Sequence, residues 1–409
     1  MTAAAATQTL RRDAQIIGLI GLAHGTSHFF HLLLPALFPW FKEAFGLSYA
    51  ELGLLMTAFF VVSGTGQAMA GFVVDRVGGL HVLLGGVALL GVSALGLCLS
   101  QSYAMLLFFA GIAGLGNSVF HPADFTILNR RVSVPRLSHA FSIHGLSGSL
   151  GWALSPVFMA GLAALAGWRV ALLAAAAVAA AVVGVLWTFR SLLHTRELQP
   201  VASHAKPTGS EHGLGFMRLP AVWMCFTFFL ISAMALAGIQ SFSPSALHDL
   251  YGMPITLATM GITVFMLAGA AGILAGGFLA ARTLHHDRVL AAAFGLSGGF
   301  AALIGTGTLP GALVLPTLAV VGFGSGMAGP SRDLLVRAAA PRNATGRVYG
   351  VVYSGLDIGL SLSPLLFAAL MDAHHPGGVF VLVGALQVLA LAAALGVRGS
   401  AGRLRHQAA

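Results

Sequence analysis

Charged residues are scarce in this sequence. Only 8% of its 409 residues are Asp, Glu, Lys or Arg, whereas 57% are hydrophobic. A soluble protein of this length needs far more charge on its surface, so a soluble fold is excluded. The length accommodates about twelve apolar runs of ~20 residues, each long enough to cross a bilayer as a helix. The composition therefore predicts an all-α integral membrane protein.

Several chemistries are excluded by what is missing. The only two cysteines, Cys98 and Cys225, fall within apolar runs and suit neither a disulfide framework nor a zinc site. No G-x-x-x-x-G-K-[ST] loop is present, so transport driven by ATP is not expected. The net charge of +9 is spread over short loops, which indicates membrane topology rather than nucleic-acid binding. No cofactor, no cleavable signal peptide and no enzymatic activity are expected.

The apolar runs divide the chain into two halves. We predict spans at 15–40, 50–73, 81–101, 103–128, 138–165, 168–190, 219–246, 255–281, 289–308, 311–336, 346–371 and 376–397. The longest polar stretch follows the sixth span and contains prolines, glycine and serine, as flexible linkers do. We therefore expect a six-helix half over 1–190, a cytoplasmic linker over 191–218 and a second six-helix half over 219–409.

The loop charges predict the orientation. Placing the N-terminus inside leaves only Lys42 and Arg169 of the 21 Lys and Arg residues outside. Cytoplasmic loops carry an excess of Lys and Arg, so this asymmetry supports twelve spans with both termini cytoplasmic. We expect the protein to be a monomer in a bacterial-type inner membrane.

The two halves repeat at a fixed offset. The repeated positions, each pair 208 residues apart, are Gly116 and Gly324, Pro122 and Pro330, Gly151 and Gly359, and Pro156 and Pro364. Halves in the same orientation form a parallel repeat, which places a substrate site at their interface near the middle of the membrane. Independent use of glycine and proline for helix packing is the alternative explanation.

Ionisable residues within the spans mark a polar path. A carboxylate at the centre of a membrane helix costs roughly 2.5 to 3.5 kcal/mol, so Asp124 needs a partner or a wet cavity. His24, His28 and His31 share one helix face, because they are spaced i, i+4, i+7. That face lines a cavity, packs against neighbouring helices or, as a third alternative, holds a metal ion; we expect no metal. His121 and His144 are candidates to join this group.

One loop motif resembles a known signature. Gly71-Phe-Val-Val-Asp75-Arg76-Val-Gly78, between the second and third spans, resembles the G-x-x-x-D-R-x-G loop of the major facilitator superfamily. Gly79 then replaces the usual basic residue. The resemblance implies twelve transmembrane helices in two pseudo-symmetric six-helix halves, and a bracing role for Asp75 and Arg76 at a gate. A purely topological role for this basic loop is the alternative.

A narrower resemblance is to the fosmidomycin resistance protein family of exporters. His24, His28 and Pro39 fall at the spacing of that family's first span, although His28 occupies the family's Asp position. The run Gly114 to Pro122 resembles its fourth span, but the acid that follows is displaced to Asp124.

The fifth span also fits this family. Gly148, Gly151 and Pro156 resemble an antiporter motif and are assigned to gating. The resemblance implies export of a small organic molecule by alternating access, driven by protons moving inward. Uptake or exchange of a small organic anion is the alternative within transport. A membrane metalloenzyme or haem protein that uses the histidines is the alternative from another class.

These considerations give one set of residues for the substrate or proton pathway. They are His24, His28, His31, Asn117, His121, Asp124, His144, Gln240, Arg332, Tyr353 and Asp357. Asp124 and Arg332 are 208 residues apart, so we predict that they form an ion pair between the halves. Local pairing, of Arg332 with Asp333 and of Asp124 with Arg130 or Arg131, is the alternative.

Overall fold

A computed structural model describes residues 3–194, 220–283, 285–339 and 345–407. Regular structure in these ranges is entirely helical, so the predicted all-α class is confirmed. The helices are α1 (Ala3–His31), α2 (Leu33–Phe45), α3 (Tyr49–Val77), α4 (Gly79–Cys98), α5 (Tyr103–Asn117), α6 (Phe120–Arg131), α7 (Leu137–Ala166), α8 (Trp168–Thr188), α9 (Arg190–Leu193), α10 (Pro220–Tyr251), α11 (Ile255–Arg282), α12 (His286–Gly305), α13 (Gly311–Ala339), α14 (Thr345–Asp372) and α15 (Pro376–Gln407).

Twelve helical segments of the described ranges are long and apolar enough to cross a membrane. Each overlaps one predicted span, so the twelve-span, multi-pass architecture is confirmed. The predicted linker, 191–218, lies outside the described residues except for its first four positions. The cytoplasmic location of the termini remains a prediction.

Two of the predicted spans are each built from two helices. The first breaks between α1 and α2 at Leu32, and the fourth breaks between α5 and α6 at Ser118 and Val119. Each break lies next to the carbonyl four residues before a proline, Pro35 or Pro122. A proline has no N–H to donate to that carbonyl, and its ring clashes with it. The breaks place the ends of α1 and α5 within the membrane-spanning region.

The chain divides into two compact units. The first comprises Met1–Leu47 and Leu54–His204, and the second comprises Ser48–Gly53 and Ala205–Ala409. In the first unit α1 packs on α7, and α4 packs on α5 and α8. In the second unit α10 packs on α14, and α12 packs on α13 and α15. These pairings are equivalent when spans are counted within each half.

The repeated glycines make equivalent contacts in the two units. A Cβ added at Gly151 of α7 would collide with the carbonyl oxygen of Gly25 in α1. A Cβ added at Gly359 of α14 would collide in the same way with the carbonyl oxygen of Leu230 in α10. Small residues let membrane helices approach closely. The 208-residue repeat therefore preserves one tight helix crossing in each unit.

Candidate functional site

Four helices of the first unit bring seven of the predicted residues together. α1 contributes His24, His28 and His31, α5 ends at Asn117, α6 carries His121 and Asp124, and α7 carries His144. A new helix starts after Asn117. The last residue of α5 and the first turns of α6 therefore both lie beside the histidine face of α1. This group is the candidate site.

Asp124 is the fully buried acid of this group. Its side chain is 0% exposed, and its Oδ2 lies 3.2 Å from His24 Nδ1 and 3.1 Å from His144 Nε2. Its Oδ1 has no hydrogen-bond partner among the described residues. A buried carboxylate is costly unless it is paired or neutralised. The two imidazoles are therefore the groups able to share a proton with Asp124.

Three imidazoles cluster on one another beside that carboxylate. The rings of His24 and His144 stack with centroids 3.5 Å apart, and the ring of His121 lies 5.3 Å from that of His24. His24 and His144 are buried, whereas His121 is exposed. A polar ring in the middle of a membrane span is not expected to face lipid. His121 thus marks the side from which the cluster is reached.

Asn117 is the centre of a separate hydrogen-bond network. Its Oδ1 accepts from Ser27 Oγ at 2.6 Å and lies 2.9 Å from His31 Nε2, while its Nδ2 donates to Ser63 Oγ at 2.8 Å. Trp152 Nε1 donates to His31 Nδ1 at 3.3 Å. Because indole N–H is only a donor, Nδ1 accepts and Nε2 carries the hydrogen. His31 is therefore held as the neutral Nε2–H tautomer.

Sequence reasoning missed two members of this network, Ser27 and Ser63. Ser27 follows His24 by three residues and precedes His31 by four, so the helical period that selected the histidines also selects it. Ser63 lies on α3, within an apolar run, and carries no comparable signal. Its role depends on contact with Asn117, 54 residues along the chain.

His28 lies between the two polar groups. Its ring centroid is 4.4 Å from that of His24, 4.9 Å from that of His31 and 4.3 Å from that of Trp152. Its Nδ1 is buried and has no hydrogen-bond partner among the residues described. His28 is thus free to take a new partner, unlike His31, whose two ring nitrogens are both engaged.

Replacing Asn117 by alanine is expected to lower thermal stability. It leaves Ser27, Ser63 and the His31 Nε2–H without their partner, and an unsatisfied buried polar group costs about 1–3 kcal/mol. Asn129→Ala is the matched control, because Asn129 is exposed and donates to the carbonyl of Phe125 on its own helix. Thermal unfolding of the two purified variants measures the difference. Equal melting temperatures would contradict a stabilising network.

Gly148 provides the space that the imidazoles occupy. A Cβ at this position would lie 2.8 Å from the His28 ring and 3.1 Å from His24 Nε2. The gating role predicted for Gly148, Gly151 and Pro156 remains a prediction. The structure adds that a side chain at position 148 would meet two rings of the candidate site.

The Gly148→Ala variant is expected to transport poorly and still fold. The added methyl group displaces two imidazoles rather than backbone, so the site is disturbed more than the helix packing. Gly145→Ala on the same helix is the control, because open space surrounds Gly145. Initial transport rates in proteoliposomes, with thermal unfolding alongside, compare the two. Equal rates would show that the imidazole positions do not matter.

The remaining predicted pathway and gate residues belong to helices other than the four that form this cluster. In the second unit, Gln240 is buried on α10, and its Nε2 has no hydrogen-bond partner among the described residues. Asp357 is half-buried on α14, and its backbone carbonyl accepts from Ser361.

Arg76 is exposed at the end of α3. The side chains of Asp75, Arg332 and Tyr353 lie outside the described residues, so the gate and the Asp124–Arg332 pair remain predictions.

Comparison with known proteins gives consistent matches. The family model of the Major Facilitator Superfamily matches residues 19–364. The fosmidomycin resistance protein of Escherichia coli (strain K12) is 26% identical over 288 residues, which cover 67% of each chain. The probable nitrate/nitrite transporter NarK2 of Mycobacterium tuberculosis (strain ATCC 25618 / H37Rv) is 27% identical, over 86% of this chain and 88% of its own.

Solved structures share the fold. A bacterial homolog of the human lysosomal transporter Spinster, in an inward-facing and occupied conformation, superposes with a TM-score of 0.76. The match covers 95% of this chain and 97% of that one, at 15% identity. At this identity the likeness concerns the fold alone.

Proposed function

Because this chain belongs to the Major Facilitator Superfamily, we propose that it is a secondary active transporter that exports a small organic molecule in exchange for protons. Family and fold are those of transporters rather than enzymes. In this proposal the two six-helix halves alternately open the site to each side of the membrane.

The observation that carries the proposal is the buried Asp124 between His24 and His144. Acid and imidazole groups inside membrane spans mark proton relays and ion pathways, because lipid does not tolerate an unpaired charge. Structural packing alone does not require a carboxylate and three imidazoles in one apolar half. A group of this kind is suited to gain a proton on one side and release it on the other.

Two considerations support export. The relative from Escherichia coli carries a name that refers to resistance. In addition, a membrane potential that is negative inside favours inward movement of protons, by about 2.3 kcal/mol per charge per 100 mV. The protein therefore uses an available gradient when it exchanges external protons for an internal substrate.

Uptake or exchange of a small organic anion is the second candidate function. The similarity to a probable nitrate/nitrite transporter favours it, as does the density of imidazoles at the candidate site. Protonated imidazoles attract anions and neutral ones do not, so the same cluster suits an anion carried together with protons.

Transport in proteoliposomes tests both functions. We expect a substrate added on one side to drive proton movement in the opposite direction, reported by a pH-sensitive dye trapped inside. A panel of anionic and amphiphilic compounds serves as candidate substrates, and a protonophore provides the control. Movement of substrate and protons in the same direction would support the second function. Substrate flux that is indifferent to an imposed pH gradient would contradict proton coupling.

The proposal includes orientation and assembly. We place both termini in the cytoplasm on the strength of the Lys and Arg asymmetry, and we propose that the protein is a monomer of the inner membrane. Reporter enzymes fused to the termini, active only in the cytoplasm or only outside it, test the orientation. Opposite locations for the two termini would contradict an even number of spans.

A further inference from the structure

Three histidines from three different helices converge beside one carboxylate. His24 on α1, His121 on α6 and His144 on α7 each offer one ring nitrogen, and these nitrogens all lie within 4.8 Å of one another. Asp124 Oδ2 lies 3.2 Å from His24 Nδ1 and 3.1 Å from His144 Nε2. We propose that these four residues bind a divalent transition-metal ion of the zinc, cobalt and nickel class.

Two distances are close to those of a tetrahedral site, and the histidine nitrogens, within 4.8 Å of one another, would have to move closer. With metal–ligand distances of about 2.1 Å, the ligand atoms of a tetrahedron are about 3.4 Å apart. The two contacts of Asp124 Oδ2 are already within a few tenths of an ångström of that separation. His121 has the farthest to move, and it is the exposed member of the group. Closing the site therefore requires the His121 ring to leave the Phe125 ring on which it stacks, and the stacked rings of His24 and His144 to turn.

The donor set selects the class of ion. Three imidazole nitrogens and one carboxylate oxygen suit zinc, cobalt and nickel, whereas magnesium and calcium prefer all-oxygen sites. The two cysteines, Cys98 and Cys225, are not members of the group, so softer ions that need thiolates are disfavoured.

One unused buried atom at the same place is available to a ligand. Asp124 Oδ1 is buried without a hydrogen-bond partner among the described residues, whereas His24 Nδ1 faces Asp124 Oδ2 at 3.2 Å. A bound dication would compensate the buried carboxylate and would take the place of the protons that the carboxylate and the imidazoles share. Exposed His121 provides the way in.

The metal site differs from the one suggested by the spacing on α1. His31 belongs to that helix face, yet its nitrogens are engaged by Trp152 and Asn117. A metal at His31 would break both contacts. The convergence of α1, α6 and α7 at Asp124, rather than the i, i+4 pair on α1, forms the site.

Cobalt binding tests this inference directly. The full-length protein, purified in nanodiscs with an affinity tag that contains no histidine, is titrated with Co²⁺ and followed by visible d–d absorption. We expect one ion per chain with the intense absorption of a tetrahedral site. Asp124→Asn and His121→Ala are each expected to weaken binding by at least about 100-fold, the upper end of the loss caused by removing even an outer-sphere partner.

His139→Ala is the matched control, because His139 is an exposed histidine of α7 outside the cluster. It is expected to bind Co²⁺ as the unchanged protein does. Weak octahedral absorption in the unchanged protein, or equal affinity in all four proteins, would overturn the inference.

A second measurement guards against misfolded variants. A ligand that binds only the folded state raises the melting temperature by mass action. Zn²⁺ is therefore expected to raise the melting temperature of the unchanged protein and of His139→Ala, but not of His121→Ala. His121 is exposed, so its loss should leave the metal-free melting temperature unchanged. A Zn²⁺ effect that survives in His121→Ala would overturn the inference.

The metal inference and the transport proposal fail separately. The binding measurements require no transport, and the transport assay requires no metal. Metal binding without pH-driven transport would support the metal site and contradict the proposed function. Transport without metal binding would support the proposed function and contradict the metal site.

Discussion

Replacing Asp124 by asparagine is expected to abolish pH-driven transport. Asparagine keeps the shape of the side chain but cannot carry a proton between the two sides of the membrane. The expected flux in proteoliposomes with an imposed pH gradient is close to that of empty liposomes. Because Asp124 is fully buried and its Oδ1 has no hydrogen-bond partner among the described residues, asparagine replaces an ionisable group that is costly to bury by a neutral one. Folding is therefore expected to survive, with an unchanged or raised melting temperature.

Glu43→Gln is the matched control for this variant. Glu43 is exposed near the end of α2, and the chemical change is the same. Transport by this control is expected to equal that of the unchanged protein. A full transport rate in Asp124→Asn would exclude Asp124 as the proton carrier. Loss of folded protein in Asp124→Asn would instead indicate that the carboxylate mainly holds α1, α6 and α7 together.

Replacing Gly151 by alanine is expected to cause the largest loss of stability. The added Cβ would collide with the backbone of Gly25, and backbone cannot rotate away as a side chain can. Overpacking usually costs about 1–3 kcal/mol, and a collision with backbone is expected to lie at the upper end. The melting temperature and the yield of monodisperse protein after solubilisation measure the effect.

Gly161→Ala on the same helix is the control for Gly151→Ala. Open space surrounds Gly161, and alanine is about 1 kcal/mol better than glycine inside a helix. This control is expected to melt at the same temperature as the unchanged protein or higher. Equal melting temperatures for the two variants would mean that α1 and α7 can separate without cost, contrary to the tight crossing.

Part of the candidate site could be predicted from the sequence. The helical period placed His24, His28 and His31 on one face. The cost of a carboxylate in lipid predicted that Asp124 has a partner or faces a wet cavity. The period says nothing about which atoms each ring contacts. His31 is held neutral by Asn117 and Trp152, whereas His24 faces Asp124. Two residues with the same sequence signal thus have different chemistry.

The sequence alone determined the all-helical, twelve-span architecture, because a bilayer offers no water to unpaired backbone groups and so permits few spanning structures. It also contained the signals for the breaks before Pro35 and Pro122, since proline acts on the carbonyl four residues earlier. Only the tertiary structure decided which polar groups meet. His24 and Asp124 are 100 residues apart in the sequence, and they meet because α1 and α7 approach at Gly25 and Gly151 while α6 restarts beside them. Contacts of this kind depend on how helices cross, and the period of a single helix does not encode the crossing.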